Sequence, residues 1–199
     1  SDLADATPLS VFALHLVELV GRATPLFIDH HKHAGRGRTR SPFPSYGAQL
    51  KHITDFFSGY ERRREGRVRV QVSTAVSQRA FMHDDICALA FHKQAALILL
   101  PFHQKWSAAG SVVLDDGVQR GINKRVLEGA PCSVGILVDR RRGADPYMAS
   151  GAGAPYRVAV VFIGGDDDRE ALAVGRKMAE SPQVRLTVVR MVGEGEGEG

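Results

Sequence analysis

The chain has 199 residues, of which 44% are hydrophobic and 24% charged, with a formal net charge of +4. These are ordinary globular statistics, so they exclude disorder as the dominant state and predict one or two domains with a core. The longest apolar run, 95–101, is about a third of the roughly 20 residues that a membrane-spanning helix needs. The acidic N-terminus lacks a secretory pattern, so a reducing, cytosolic setting is expected.

The first third of the chain predicts one strand, a long loop and one helix. Residues 10–18 form a short, mostly apolar run, which is typical of a strand covered on both faces. Residues 19–45 contain three prolines and a basic run, so a loop is expected there, apart from an extended piece at 26–28. The apolar residues of 46–60 recur at three- and four-residue steps, which predicts a helix with Ser45 as its N-cap.

The middle of the chain alternates between strand and helix patterns. Strands are predicted at 68–72, where valines alternate with polar residues, and at 95–100, which is an apolar run. Helices are predicted at 82–93 and 117–128, and Gly129 is expected to end the second helix from the position just after it.

The last third predicts a further strand, a linker, a strand–helix–strand segment and a tail. In chain order these are a strand at 133–138, a linker at 140–155, a strand at 157–163, a helix at 166–181, a strand at 184–192 and a tail at 193–199. The tail has no apolar residue to bury and is expected to be disordered. The alternation along the whole chain predicts an α/β fold, with an open, mostly parallel sheet and helices on both faces.

Positive charge is gathered into three short stretches. Residues 30–40 are the densest and are expected to form a solvated loop, with contact to a phosphate, an anionic lipid or an acidic partner as the alternative. The arginine triplets at 62–64 and 140–142 lie at element ends and are expected to face solvent. No aromatic residues are interleaved with them, so nucleic acid is not expected as a partner.

Two turns that follow predicted strands hold the candidate ligand-binding residues. His103 lies where open α/β sheets bind ligands and would suit a pH-sensitive site, and Lys105 could meet an anion. Gly164, Gly165 and Asp166 lie between a strand and a helix, a composition typical of a turn that contacts phosphate or ribose. The alternatives are solvated side chains in a surface loop, and N-capping of the helix by Asp166.

No pattern points to catalysis or to a metal. The nucleophile elbow, the His-Glu-x-x-His pair and the Walker lysine loop are all missing, so no enzyme and no catalytic residue is predicted. His83, Asp84 and Asp85 are adjacent on a helix and point in different directions, which argues against one shared ion. Cys87 and Cys132 have no zinc or redox spacing and are expected to act as small buried hydrophobes, and no cofactor is expected.

Seven runs follow one another in the order of a known family. They are residues 13–23, 52–56, 82–87 (Met-His-Asp-Asp-Ile-Cys), 98–105, 123–127, 130–139 (Ala-Pro-Cys-Ser-Val-Gly-Ile-Leu-Val-Asp) and 167–172. With them the chain resembles, from about residue 11 to 190, the C-terminal cytosolic part of plant cation/proton exchangers. These are monovalent cation:proton antiporters that carry universal-stress-protein-like domains behind a membrane transport domain.

The resemblance implies a function as well as a fold. The fold would be universal-stress-protein-like, of the adenine nucleotide alpha hydrolase type. The chain would be a regulatory domain of a K⁺ or Na⁺/proton antiporter on the cytosolic face of an endomembrane or plasma membrane, with no transport or catalysis of its own. Its partner would be the membrane transport domain of the same protein, with a small ligand, a nucleotide or a second copy as further partners. A free-standing nucleotide-binding stress protein and a dimerisation module are the alternatives.

Two departures from the family pattern limit what carries over. The glycine-rich ATP loop of universal stress proteins is replaced by a segment starting Pro101-Phe102, and the terminal glycine-serine pair of the motif falls on Arg120-Gly121, so the triphosphate cradle is expected to be degraded. The unit at 1–139 also lacks its first strand and helix, whereas 156–192 resembles the start of a second unit. The strand at 158–163 is therefore expected to complete the first sheet, within this chain or from a neighbouring copy.

Overall fold

The computed structural model describes residues 8–20, 26–30, 44–64, 66–107, 109–139 and 156–192. Their contacts divide the chain into two compact units. The first contains the residues up to Lys105 together with Leu114–Asp139, and the second contains Trp106–Val113 and the residues after Asp139. Each unit is built from strands and helices that alternate along the chain.

A three-stranded sheet opens the first unit. Its strands are β1 (Leu9–Glu18), β2 (Leu26–His30) and β3 (Val68–Ser77), and β3 lies in the middle. β1 runs parallel to β3 with Leu9 opposite Val68, whereas β2 runs antiparallel to β3. The extended piece expected at 26–28 is thus confirmed, as an edge strand whose backbone bonds are supplied by β3. Its pairing partner is a tertiary property that the local sequence pattern does not show.

The first helix, α1 (Pro44–Arg63), packs along β3. It begins before Ser45, so the prediction that Ser45 is the N-cap is wrong and Ser45 lies in the first turn. Proline is suited to a first helical position, because its φ is already helical and the N–H that it lacks would have no helical acceptor there. The chain then reverses through a turn in which Gly66 takes a left-handed φ of 80°.

Further helices and strands follow β3 along the chain. They are α2 (Met82–His92), β4 (Leu97–Pro101), β5 (Gln104–Trp106), β6 (Val112–Asp115), α3 (Gly117–Gly129) and β7 (Ser133–Leu137), and β5 pairs with β6. β4 and β7 form a parallel pair with Leu97 opposite Ser133. The β5–β6 pair lies in a segment for which the sequence predicted no strand. Gly129 is the last residue of α3 and has no positive φ, so the predicted left-handed glycine after the helix is wrong.

One hydrophobic core joins α2, β4, α3 and β7. Val126 of α3 is fully buried and clusters with Ile86 of α2 and with Ile98 and Leu100 of β4. The other face of β4 is open among the described residues, since Leu97 and Leu99 are 40% and 60% exposed. α2 and α3 therefore cover one face of the β4–β7 pair.

The first unit holds separate sheets rather than one continuous sheet. Leu14 and Leu16 of β1 pack against the same core cluster as Ile98 and Leu100 of β4. Nevertheless, β1 is hydrogen-bonded to β3 and β4 to β7, and among the described strands no ladder joins β1 to β4. The edges of β1 and β4 that face away from their partners are consequently unpaired in this part of the chain.

The second unit contains a parallel strand–helix–strand motif. Its elements are β8 (Tyr156–Phe162), α4 (Asp166–Ala179) and β9 (Val184–Arg190), with Tyr156 opposite Val184. Gly175 is buried where α4 crosses the strands, and a Cβ there would lie 2.8 Å from Val160 Cγ2 and 3.1 Å from Leu186 Cδ1. The bare glycine therefore lets the helix approach the sheet closely.

The predicted fold class is confirmed as α/β, with parallel strands and intervening helices. Within the described ranges, no helix combines the length and the hydropathy of a membrane span. The universal-stress-protein-like detail and the completion of the first sheet by β8 stay predictions. The linker at 140–155 and the tail at 193–199 lie outside the described residues.

Candidate functional site

The first candidate site lies where the chain leaves β4. The Phe102 N–H donates to the Leu137 carbonyl at 3.0 Å, which extends the pairing with β7 by one bond. The half-buried His103 ring lies 4.1 Å from the Phe102 ring, centroid to centroid, and the His103 carbonyl accepts from the Asp116 N–H at 2.9 Å. His103 is therefore held at both its ring and its backbone, next to the start of α3.

Lys105 lies two residues further on, in β5. Its side chain is exposed, and no carboxylate among the residues that the structure describes lies within ion-pair distance of it. Gln104, its neighbour, donates to Asp115 Oδ2 at 3.4 Å across the β5–β6 pair. His103 thus lies in the turn after β4 and Lys105 in the short strand that follows it, where Lys105 is available to an anion.

The N-terminus of α3 is closed by its own acidic residues. Asp116 Oδ1 accepts from the N–H groups of Val118 and Gln119 at 3.0 and 3.1 Å, as an N-cap does. Arg120 Nη2 donates to both carboxylate oxygens of Asp115, at 2.8 and 2.7 Å. An incoming phosphate would have to displace Asp116 from these N–H groups and compete with Asp115 for the guanidinium.

Asn123 ties α3 to the end of β4. Its side chain is 4% exposed, donates from Nδ2 to the Pro101 carbonyl at 2.9 Å, and accepts from Gln119 Nε2 at 2.7 Å. Buried amides need such partners, because an unpaired polar group in a core is costly. Sequence reasoning missed Asn123; the available signal was a polar residue between the apolar Ile122 and Val126 on one helix face.

In this first site, most backbone groups that could bind a phosphate are already bonded within the protein. Pro101 has no N–H, the Phe102 N–H is committed to β7, and the start of α3 is capped. Because these groups are satisfied within the protein, the arrangement offers a phosphate few free donors besides Lys105. The degraded triphosphate cradle stays a prediction.

The second candidate site is the turn between β8 and α4. Gly164 and Gly165 have φ of 127° and 140°, values that side-chain-bearing residues rarely adopt. Asp168 Oδ2 accepts from the N–H groups of Ile163 and Gly164 at 2.8 and 2.7 Å. These two bonds hold the pKa of Asp168 below its ordinary value, and the bond from Gly164 has the larger effect. A carboxylate of the chain itself therefore occupies the turn's donors.

Asp166 does not cap its helix. It is the first residue of α4, makes no capping bond at the preceding Gly165, and instead accepts from Arg169 Nη1 at 2.8 Å. N-capping by Asp166 is thus wrong, and Asp168 folds back over the turn instead. Three successive aspartates have the same side chain, so the sequence alone could not show which of them bonds the turn. The two candidate turns lie in different units.

The remaining histidines and carboxylates of interest act locally. Asp85 Oδ2 accepts from Ser77 Oγ, and His83 Nε2 lies 3.3 Å from Asp84 Oδ1. Over the described residues, no three His, Cys, Asp or Glu side chains converge on a possible metal position. Asp85 therefore ties α2 to the end of β3.

Both thiols pack against the core of the first unit. Cys87 and Cys132 are half-buried and touch the cluster around Val126. Burial raises the pKa of each thiol above its ordinary value, and for Cys87 the charge of Asp84 adds to the effect. A raised pKa reduces the thiolate fraction, so the expectation of hydrophobic rather than reactive cysteines agrees with their setting.

Two family models match nearly the whole chain. A model described as a plant cation/H⁺ antiporter domain matches residues 11–142. A second, described as the C-terminal domain of the plant cation/H⁺ antiporter, matches residues 155–198. No solved structure matches the chain.

Relatives from Arabidopsis thaliana give the same result. Cation/H⁺ antiporter 3 is 37% identical over 196 residues, covering 94% of this chain and 23% of the relative. Cation/H⁺ antiporter 15 is 40% identical over 186 residues, 94% of this chain and 22% of the relative. Cation/H⁺ symporter 13 is 38% identical over 182 residues, 92% of this chain and 21% of the relative. The chain spans less than a quarter of the length of these relatives, and it belongs to the plant cation/H⁺ antiporter family.

Proposed function

We propose that this chain is a regulatory part of a monovalent cation/proton antiporter, and that it senses a ligand, pH or a partner for the membrane transport domain of the same protein. The observation that carries the proposal is the alignment of the chain with about a fifth of each full-length relative. The described part of the chain supplies α/β units rather than helices that could line an ion path.

The proposal gives the chain no transport and no catalysis of its own. It would lie at the cytosolic face of the membrane and would act on the movement of K⁺ or Na⁺ by shifting the transport domain between conformations. Such a shift requires the sensed input to favour one state of the chain over another. A second copy of the chain is a further partner under this proposal, which light scattering over a concentration series would test.

The turn after β4 is the part of the chain where we expect a ligand or a proton to bind. Histidine is the side chain whose charge changes most readily near neutral pH. The His103 backbone is bonded to Asp116 at the start of α3, and Asn123 bonds the same helix to Pro101. A charge or ligand at His103 and Lys105 would therefore act on both β4 and α3.

A segment exchange tests the proposed function. A full-length relative would be assayed for proton-coupled cation flux intact, without the segment that aligns to this chain, and with this chain in place of that segment. We expect removal to change the flux rate or its pH dependence, and the exchanged chain to restore the intact behaviour. Equal fluxes in all three proteins would contradict a regulatory role.

Nucleotide binding is the competing function, because Gly164 and Gly165 form a strand-to-helix turn of the type that can approach a phosphate. Calorimetry with ATP, ADP and AMP distinguishes the two. The bonds of Asp116 and Asp168 to the turn donors lead us to expect no heat of binding at millimolar nucleotide. Tight binding of any of the three would favour a nucleotide-binding stress protein.

A further inference from the structure

Five arginines are gathered at the end of the first unit where α1 stops and β3 starts. They are Arg62, Arg63, Arg64, Arg67 and Arg69, and all five are exposed. We refer to them as the basic pole. They lie within eight positions of a chain whose formal net charge is only +4, so they concentrate positive charge at one end of the unit.

Three arginines of the basic pole have no acidic partner among the described residues. Over the ranges that the structure describes, no carboxylate lies within ion-pair distance of Arg62, Arg67 or Arg69. The guanidinium of Arg64 lies 5.2 Å from the centroid of the Tyr60 ring, which leaves its charge in place. Glu61, the adjacent acid, accepts from the Val70 N–H at 3.4 Å.

Two other exposed arginines of the first unit are paired with acids. Arg79 follows the end of β3 and lies 2.6 Å from Glu18 at the end of β1. Arg120 is held by Asp115 at 2.7 Å. Arg62, Arg67 and Arg69 differ from Arg79 and Arg120 in having no such acid among the described residues.

Stabilisation of the helix accounts for only part of the basic pole. Basic residues suit the last turn of a helix, where α1 carries Arg62 and Arg63. Arg67 and Arg69 lie beyond the helix, in the turn and in β3. The positive surface continues to Lys93, just after α2, whose Nζ bonds Gln71 Oε1 of β3 at 3.1 Å and lies 5.3 Å from the Phe12 ring centroid.

We propose that the basic pole binds the anionic phospholipid headgroups of a membrane surface. Guanidinium groups bind phosphate oxygens in pairs, and basic clusters beside a membrane are drawn to its anionic leaflet. This inference rests on the proposed function, which places the chain next to a bilayer. Lipid binding would hold the first unit against the membrane by the basic pole and leave its other end, with Glu18 and Arg79, away from the lipid.

Vesicle co-sedimentation with the whole chain tests this inference. The vesicles are phosphatidylcholine alone, or phosphatidylcholine with about 30% phosphatidylserine, at low ionic strength. We expect binding to the anionic vesicles only, weakening as salt is raised. Replacing Arg62, Arg67 and Arg69 by Gln should weaken the binding on the order of a hundredfold, since each basic residue near such a surface contributes about fivefold.

A charge-matched variant makes the test specific. Lys51→Gln, Lys124→Gln and Arg176→Gln remove three exposed cations elsewhere and should change binding less than tenfold, a rough bound set by screening of distant charges. Far-UV circular dichroism would verify that both variants are folded. Equal losses in the two variants, equal binding to both vesicle types, or competition by duplex DNA as effective as the lipid would overturn the inference. Because flux is not measured, a failure here leaves the segment exchange of the proposed function undecided and separately testable.

Discussion

Asn123 of α3 donates a hydrogen bond of 2.9 Å to the carbonyl of Pro101, the last residue of β4. The bond joins the helix to the strand end at which the first candidate site begins. The Asn123 side chain is buried, so its amide depends on this bond and on the one that it accepts from Gln119. Removing the amide loses both bonds and leaves a gap at a buried position, which is a destabilising change.

Asn123→Ala should therefore lower the free energy of unfolding by about 1–3 kcal/mol. Lys124→Ala, at the exposed neighbouring position, should change it by less than about 0.5 kcal/mol. Urea unfolding followed by circular dichroism measures both. If the two variants unfold at the same urea concentration, the bond to Pro101 does not stabilise the unit.

Gly175→Ala should destabilise the second unit. A Cβ at this position would lie 2.8 Å from Val160 Cγ2, so α4 or the strands must move, at a cost of about 1–3 kcal/mol. Gly121→Ala in α3 is the matched control, because nothing lies within 4 Å of its added Cβ. The control should gain about 0.5–1 kcal/mol from helix propensity. Thermal unfolding of both variants tests this, and a stabilised Gly175→Ala would show that α4 does not approach β8 so closely.

The bonds to Asp168 predict a local pH dependence. Because the folded pKa of Asp168 lies below its ordinary value of 3.8, the ordering of the turn is fully present above that value. It is lost as pH falls through the lowered folded pKa. Carbon-detected NMR titration should give Asp168 a midpoint below its ordinary value of 3.8. Asp168→Asn should speed amide exchange at Ile163 and Gly164, whereas Asp167→Asn should not; matching exchange rates in the two variants would refute the assignment.

The unpaired edges of β1 and β4 predict where a further strand would be detected. Leu9 N–H donates to Arg67 and Phe102 N–H to Leu137, and alternate amides point to opposite edges of a strand. The Leu14 and Leu99 amides therefore point away from β3 and β7. If β8 completes this sheet, as we propose, both amides should exchange slowly in residues 1–199 and faster in residues 1–139. Fast exchange of both in the longer chain would count against the completed sheet.

Local patterns predicted most of the regular elements. The strand β1 and the helix α3 were predicted because their apolar patterns lie within a few consecutive residues. The β5–β6 pair was not predicted, because each of its short strands depends on a partner that the local sequence does not contain. The separation of the β1 and β4 sheets is likewise a tertiary property.

The sequence predicted where the candidate residues lie along the chain but not which groups their side chains contact. His103 and Lys105 lie after β4 as predicted, since the end of a strand in an α/β fold can be identified from the sequence. The role of Asp168 could not be separated from that of Asp166, because both have the same side chain in the same helical turn. Only the backbone of Gly164 and Gly165 decides which carboxylate reaches the N–H groups.

The most direct test of a regulatory role is the ion preference of flux, K⁺ against Na⁺, measured together with its pH dependence in a full-length relative with and without the segment aligned to this chain. A regulatory segment predicts an unchanged preference and a changed flux rate or pH dependence after removal. A changed preference, or an identical flux rate and pH dependence in the two proteins, would contradict the account.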